Sequence, residues 1–335
     1  MCLYPKLIKN PKYKSSKKRG YYVPKNYDKR TEYVPVACGK CFECRKKRAR
    51  EWRIRLAEEL RHDTAYFITL TINEQELEKL RKEVKAGKIK GSENDIAKYA
   101  LRHALERIRK KTKKSVKHWF ITELGEDNGR IHLHGITFGK NSAEKFIENW
   151  KYGFTFVGNY VSERTINYIT KYVLKDDINN RHFTGKILTS PGIGARYFER
   201  DDWKNCKYKE NGETNEMYRF RNGTKCALPR YYKEKIYSEN EREKLWLEKI
   251  EKGDTWVMGE KCKIDSNEYK NLLNFYRDRA IQVHGDNQVL WNEKKYYKRL
   301  EAQRNALAKR KNPRMFTKKN YEVETEQFVL ENCPF

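Results

Sequence analysis

The chain has 335 residues, with 74 Lys and Arg against 46 Asp and Glu, a formal charge of +28 and a pI near 9.6. That length suggests about two domains, and 38% hydrophobic residues in periodic segments exclude disorder throughout. No run approaches the ~20 apolar residues needed to span a bilayer and no leader is visible, so the expectation is a soluble intracellular protein with a polyanionic partner, nucleic acid above all.

The first fifty residues hold 16 Lys and Arg against three acids. Tyr4, Tyr13, Tyr21, Tyr22 and Tyr27 lie among lysines and prolines there without a period. This reads as an extended basic arm whose tyrosines suit stacking on unpaired bases. A helix is expected over Glu43–Arg61 and a strand over Tyr66–Ile72, where β-branched and aromatic residues alternate. Asn73–Gly91 reads as a charged helix and a Gly-Lys loop. Ile96, Ala100, Leu101, Ala104 and Ile108 recur at threes and fours, which predicts an amphipathic helix over Asp95–Lys111. Strands His118–Leu124 and Ile131–Phe138 flank an Asn-Gly hairpin signal. Asn141 with Glu144 has the spacing of a capping box for a helix to Trp150. Gly153–Val161 reads as a strand, and Ser162 opens a helix to Lys175. The β-α-β-β-α-β-α order is an α+β unit with a ferredoxin-like antiparallel sheet and flanking helices. Beyond it, Gly185–Gly194 is turn-rich, Asn205–Lys225 is polar and irregular, and the last hundred residues read as mainly helical, with Leu290, Tyr297, Leu300 and Leu307 on one stripe. The expected divisions are a basic arm with a cysteine cluster over 1–62, a core over 63–178 and a C-terminal region over 179–335.

Three of the eight cysteines fall at Cys38, Cys41 and Cys44. The spacing is too tight for three disulfide halves and suits one metal, with structural Zn²⁺ expected. Cys2 is the candidate fourth ligand, with His62 behind it. An iron–sulfur centre fits less well, because Arg48 stands where its next cysteine is due.

His132 and His134 alternate on a strand, so both imidazoles lie on one face. Seven histidines give about 0.15 such pairs by chance, and two half-buried structural histidines compete with a metal site. Glu123 closes the preceding strand and can reach across as a carboxylate ligand, with Glu126 and Asp127 as neighbouring alternatives. Two imidazoles and a carboxylate suit Mg²⁺ or Mn²⁺ at a phosphate; Zn²⁺ would bind as well.

At 100° per residue, Tyr168, Lys171, Tyr172 and Lys175 share one helix face, while Ile166, Ile169 and Val173 share the other. With 23 tyrosines, about 1.6 pairs at this spacing arise by chance. The weight lies in the order of histidine strand, strand and Tyr-x2-Lys helix.

Phe67-Ile68-Thr69-Leu70-Thr71, His132-Leu133-His134 and Tyr168-x2-Lys171 resemble the three motifs of HUH endonucleases, the rolling-circle replication initiators. Tyr172, the Cys38-Gly-Lys-Cys-x2-Cys-Arg knuckle, Gly129-Arg130-Ile131-His132 and Leu228-Pro229-Arg230-Tyr231-Tyr232 narrow the resemblance to initiators of small single-stranded DNA phages, the gokushovirus branch of the Microviridae. It covers about residues 1–235, and departs at Ile131, where many relatives carry proline. The resemblance implies an HUH core, with Mg²⁺ or Mn²⁺ on His132, His134 and Glu123 and nucleophilic attack by Tyr168 and Tyr172. Lys171 and Lys175 are expected to steer the phosphate or lower the phenol pKa of ~10. The implied reaction nicks origin DNA, leaving a 5′-phosphotyrosyl bond and a free 3′-OH, and the second tyrosine rejoins the strand. Single-stranded or supercoiled origin DNA, a host helicase and a host polymerase are the expected partners, in the host bacterial cytoplasm. No nucleotide-binding Gly-Lys-Ser/Thr loop is present. The competing readings are a zinc-stabilised, non-catalytic nucleic-acid-binding protein and a nuclease that hydrolyses with an activated water.

Overall fold

A computed structural model describes residues 2–311 apart from 16, 18, 19, 21, 22, 24–27, 126–128, 159, 160, 176–182, 265 and 286–290. Elements follow in chain order: β1 Lys6–Lys9, β2 Tyr33–Val36, α1 Phe42–Leu60, β3 Ala65–Thr71, α2 Glu74–Lys85, α3 Glu93–Thr112, β4 Lys117–Leu124, β5 Ile131–Phe138, α4 Ser142–Asn149, β6 Thr155–Val157, α5 Glu163–Lys171 and β7 Ile187–Thr189. Then come β8 Met217–Arg219, β9 Lys225–Ala227, α6 Arg230–Ile236, α7 Glu239–Lys252, β10 Asp254–Val257, β11 Glu260–Lys263, α8 Asn267–His284 and α9 Glu293–Lys311. The chain divides into two compact units, one of residues 1–45, 207–214 and 234–335 and the other of 46–206 and 215–233, where the sequence suggested breaks after 62 and 178. Among the described residues, no helix is long and apolar enough to cross a membrane.

In the 46–206 unit an α+β arrangement is built on a five-stranded antiparallel sheet of order β6-β3-β5-β4-β7. Alternation along β5 sends Ile131 and Leu133 into the core, where they pack with Ile68, Leu70 and Phe120 under α3 and α4. His132 and His134 therefore face the other side. Ser92 caps α3 by accepting from the Asp95 N–H, and Ala97, Ala100 and Ala104 let that helix lie close on the sheet. Gly135 is required by packing: a Cβ there would overlap the ring of Phe120, which meets Phe146 edge-on at 5.4 Å. The predicted β4–β5 hairpin closes through Gly125 N–H to Arg130 O at 2.9 Å, with Gly129 at φ +58°.

Several local expectations are corrected. Asn141 makes no capping hydrogen bond, because the chain turns there with φ +56° and its side chain is aimed away from the helix. The strand expected over Gly153–Val161 is confined to β6, and the turn-rich 185–194 segment contains β7, which pairs with the outer edge of β4. The polar segment after Asn205 contains the β8–β9 hairpin.

In the other unit the N-terminal segment is not an extended arm. β1 pairs with β2, and Leu3 and Tyr4 are buried with Val257, Tyr269 and Leu273. Tyr13 is 2% exposed, and its hydroxyl donates to Glu243 of α7 at 2.5 Å. Tyr4 and Tyr13 are thus core residues and cannot stack on bases; Tyr21, Tyr22 and Tyr27 lie outside the described residues. The C-terminal hundred is helical as expected but interrupted by the β10–β11 hairpin. Of the proposed stripe, Leu300 is buried and Tyr297 is exposed; Leu290 and the Leu307 side chain lie outside the described residues.

Candidate active site and cysteine centre

Register brings the site together. Thr71, His132 and Glu123 are cross-strand neighbours on β3, β5 and β4, and Thr69 lies opposite His134 on the same face. His134 Nε2 stands 2.8 Å from Glu123 Oε2, and its Nδ1 stands 3.0 Å from Thr69 Oγ1. Lys175 Nζ closes on the second Glu123 oxygen. The His132 and His134 rings are 6.3 Å apart at 23°. Glu126 and Asp127, the alternative carboxylates, lie outside the described residues.

The electrostatics follow from this placement. Burial pushes the Glu123 carboxyl up, but the hydrogen bonds from His134 and Lys175 outweigh it and hold it below its ordinary value. Burial, then the charge of His134, pulls His132 below its usual 6.5, so His132 is a neutral nitrogen donor at pH 7. The donor set of two imidazoles and a carboxylate fits a divalent cation, and the Lys175 ammonium already holds positive charge against Glu123. A cation there would supply Lewis-acid polarisation of a phosphate oxygen.

Over this face lies α5. Ser162 opens it with a capping box shared with Thr165, and Ile166, Ile169 and Thr170 are its buried side. The opposite side presents the tyrosines. The Tyr172 ring stacks on His134 at 4.7 Å and 15°. Tyr168 meets Tyr172 edge-on at 5.4 Å, and the two hydroxyls lie 2.8 Å apart. Tyr168 is 52% exposed. The helix ends at Lys171 and not at Lys175. Tyr172, Val173 and Leu174 each bond back three residues instead of four, and this tightened turn carries Lys175 to Glu123. Lys171 is exposed on the helix and does not share that contact.

Sequence reasoning missed Thr69 as the partner of His134, although strand alternation places it on that face. It also missed Phe67, which stacks at 6.4 Å on the other side of the His134 ring, and the exposed Phe154 and Phe156. The last two had an i, i+2 spacing as their only signal.

In the 1–45 unit, Cys2 joins Cys38, Cys41 and Cys44, and the four sulfurs lie within 4.8 Å of one another. The Cys2–Cys41 and Cys38–Cys44 separations are 3.9 and 3.8 Å. A tetrahedral zinc with ~2.3 Å Zn–S bonds sets its sulfurs about 3.8 Å apart. The Cys38 N–H points at the Cys2 sulfur, and the Lys40 and Cys41 N–H groups point at the Cys38 sulfur. Hydrogen bonds from Cys2, Cys41 and Cys44 pull the Cys38 thiol down, while Cys41 and Cys44 are pushed up by the sulfurs around them. Four thiolates in this space need a cation, so the centre fits a metal such as zinc. Cys2 completes it without His62.

Residues 65–177 match the model of a family described as replication-associated protein ORF2. A curated protein, the replication-associated protein ORF4 of Chlamydia phage 1, is 23% identical over 258 residues, covering 66% of this chain and 58% of that protein. The chain thus spans somewhat over half the length of that relative. No solved structure matches. The two findings support the resemblance to a microvirus-type replication initiator, and the matched segment contains the histidine strand and both tyrosines.

Proposed function

We propose that this chain, with its replication-associated segment over 65–177, initiates rolling-circle replication by nicking origin DNA through tyrosine transesterification in an HUH-type, ferredoxin-like core. The observation that carries the reading is one stack of groups: two phenols 2.8 Å apart, the nearer lying on His134, which is itself bonded to Glu123. His132, His134 and Glu123 would hold Mg²⁺ or Mn²⁺, which when bound polarises the scissile phosphate.

The chain's own groups supply the rest. A phenolic oxygen of Tyr168 or Tyr172 attacks phosphorus, the O–P bond forms, the bond from phosphorus to the 3′-oxygen breaks, and the phenolic proton ends on that oxygen. The phosphodiester is conserved as a 5′-phosphotyrosyl bond, so rejoining needs no triphosphate. The hydroxyl–hydroxyl contact gives the second tyrosine access to the same phosphate for the closing step. Lys175 orients Glu123, and exposed Lys171 is a phosphate contact. The cysteine centre holds a structural Zn²⁺. Origin DNA, host helicase and polymerase are the partners, in the bacterial cytoplasm.

The test is a denaturing gel with labelled circular single-stranded origin DNA, in Mn²⁺ and in EDTA. Label that stays on the protein only with metal, survives in Tyr168→Phe or Tyr172→Phe, and disappears in the double variant supports the reading. Cleavage without an adduct would make the protein a hydrolytic nuclease.

A further inference from the structure

Beside His132 the sheet opens into a cleft of about 450 Å³, lined among others by Thr71, Asn73, Arg130, Lys151 and Phe154. Its size falls within the ~300–1,000 Å³ of small-ligand clefts. The walls are rigid. The Thr71 N–H donates to Phe154 O at 2.9 Å, Thr71 Oγ1 takes the Phe154 N–H at 3.0 Å, and the buried Trp150 indole donates to Thr71 O at 2.8 Å. Gly153 lets the two segments approach, since a Cβ there would meet Thr71 O at 2.5 Å and Asn73 N at 2.9 Å. The contents are two cations, an imidazole and an aromatic ring that is 68% exposed although its backbone is fixed.

We propose that this cleft is a nucleotide subsite, in which Phe154 stacks on an unpaired base of the strand being cut while Arg130 and Lys151 take its phosphate. The proposal rests on the reading of the site as a DNA nickase and names the groups that hold the strand beside the scissile phosphate. The chemistry selects the occupant. Two cations facing a shared space fit a phosphate, and an exposed ring held by a rigid backbone fits the face of a base. A duplex hides that face in its own stack, so Phe154 selects single strands. Base–aromatic stacking tolerates any base, so this subsite grips the strand without reading its sequence.

Fluorescence anisotropy tests this with a labelled oligothymidylate of about 20 nucleotides and a duplex of equal length, both in EDTA so that no cleavage intervenes. Phe154→Ala is expected to weaken single-strand binding about tenfold with no change on the duplex, and Phe154→Tyr to restore it. Replacing both Arg130 and Lys151 by Ala is expected to lower the salt slope of single-strand binding by about two. Because the ring is exposed, an unchanged melting temperature excludes misfolding as the cause. Unchanged single-strand affinity in Phe154→Ala, or equal losses on single strand and duplex, would overturn the subsite. Neither result depends on the nicking reaction, which fails or stands separately on adduct formation.

Discussion

Replacing Thr69 by valine removes a hydroxyl and keeps the side chain's shape. Thr69 Oγ1 lies 3.0 Å from His134 Nδ1. With a metal on Nε2 the ring must carry its proton on Nδ1, so Thr69 accepts that hydrogen bond and fixes the tautomer. A neutral hydrogen bond contributes about 1 kcal/mol net, which is about fivefold in an equilibrium constant, and such outer partners of metal ligands typically affect affinity 10- to 100-fold. Thr69→Val is therefore expected to weaken Mn²⁺ binding about five- to tenfold, read by electron paramagnetic resonance of free Mn²⁺ during titration of the metal-free protein. Thr69→Ser keeps the hydroxyl and should bind as the parent does. Thr69 is only half-buried on its strand, so the melting temperature should move little. Parental Mn²⁺ affinity in a folded Thr69→Val variant would refute the role of His134 Nε2 as a metal ligand.

Other expectations concern the rest of the molecule. Cys2→Ser should lower bound zinc, measured by elemental mass spectrometry on purified protein, because it removes one of four sulfurs packed within 4.8 Å; an unchanged zinc content would exclude Cys2. Gly135→Ala drives a methyl into the Phe120 ring and should cost about 1–3 kcal/mol by chemical denaturation, whereas a cost near zero would contradict the packing. Burial holds His118 below 6.5 despite its bond to the Val116 carbonyl. The unfolded state then binds the proton first, so stability should fall as pH drops through 6.5 towards the folded value, and His118→Gln should flatten that part of a denaturation-midpoint profile. An unchanged slope would show that His118 does not titrate in this range.

What sequence could reveal here was set by how local each feature is. The β5 alternation exposed His132 and His134 on one face because the period of a strand needs no partner to be read. The α5 face was legible for the same reason, and the crowding of Cys38, Cys41 and Cys44 left one sulfur to find. The features that escaped depend on distant partners. β7 is a strand only because the outer edge of β4 offers it a ladder. Tyr4 and Tyr13 are core residues only because Tyr269, Leu273 and Glu243 arrive more than two hundred residues later. Asn141 carried the composition of a helix cap, but the backbone turn before α4 overrode it. Lys171 and Lys175 looked equivalent on an unbroken helix, and the tightened turn after Lys171 separated them.

The central claim is that a tyrosine of this chain becomes bonded to DNA, and the linkage can be read directly. Cleavage after Arg164, Lys171 and Lys175 puts Tyr168 and Tyr172 on different tryptic peptides. After reaction with origin DNA in Mn²⁺, nuclease trimming and trypsin digestion, mass spectrometry should find a nucleotide phosphate on the Thr165–Lys171 peptide or on Tyr172–Lys175. Cut DNA carrying free 5′-phosphates, with both peptides unmodified, would contradict the account.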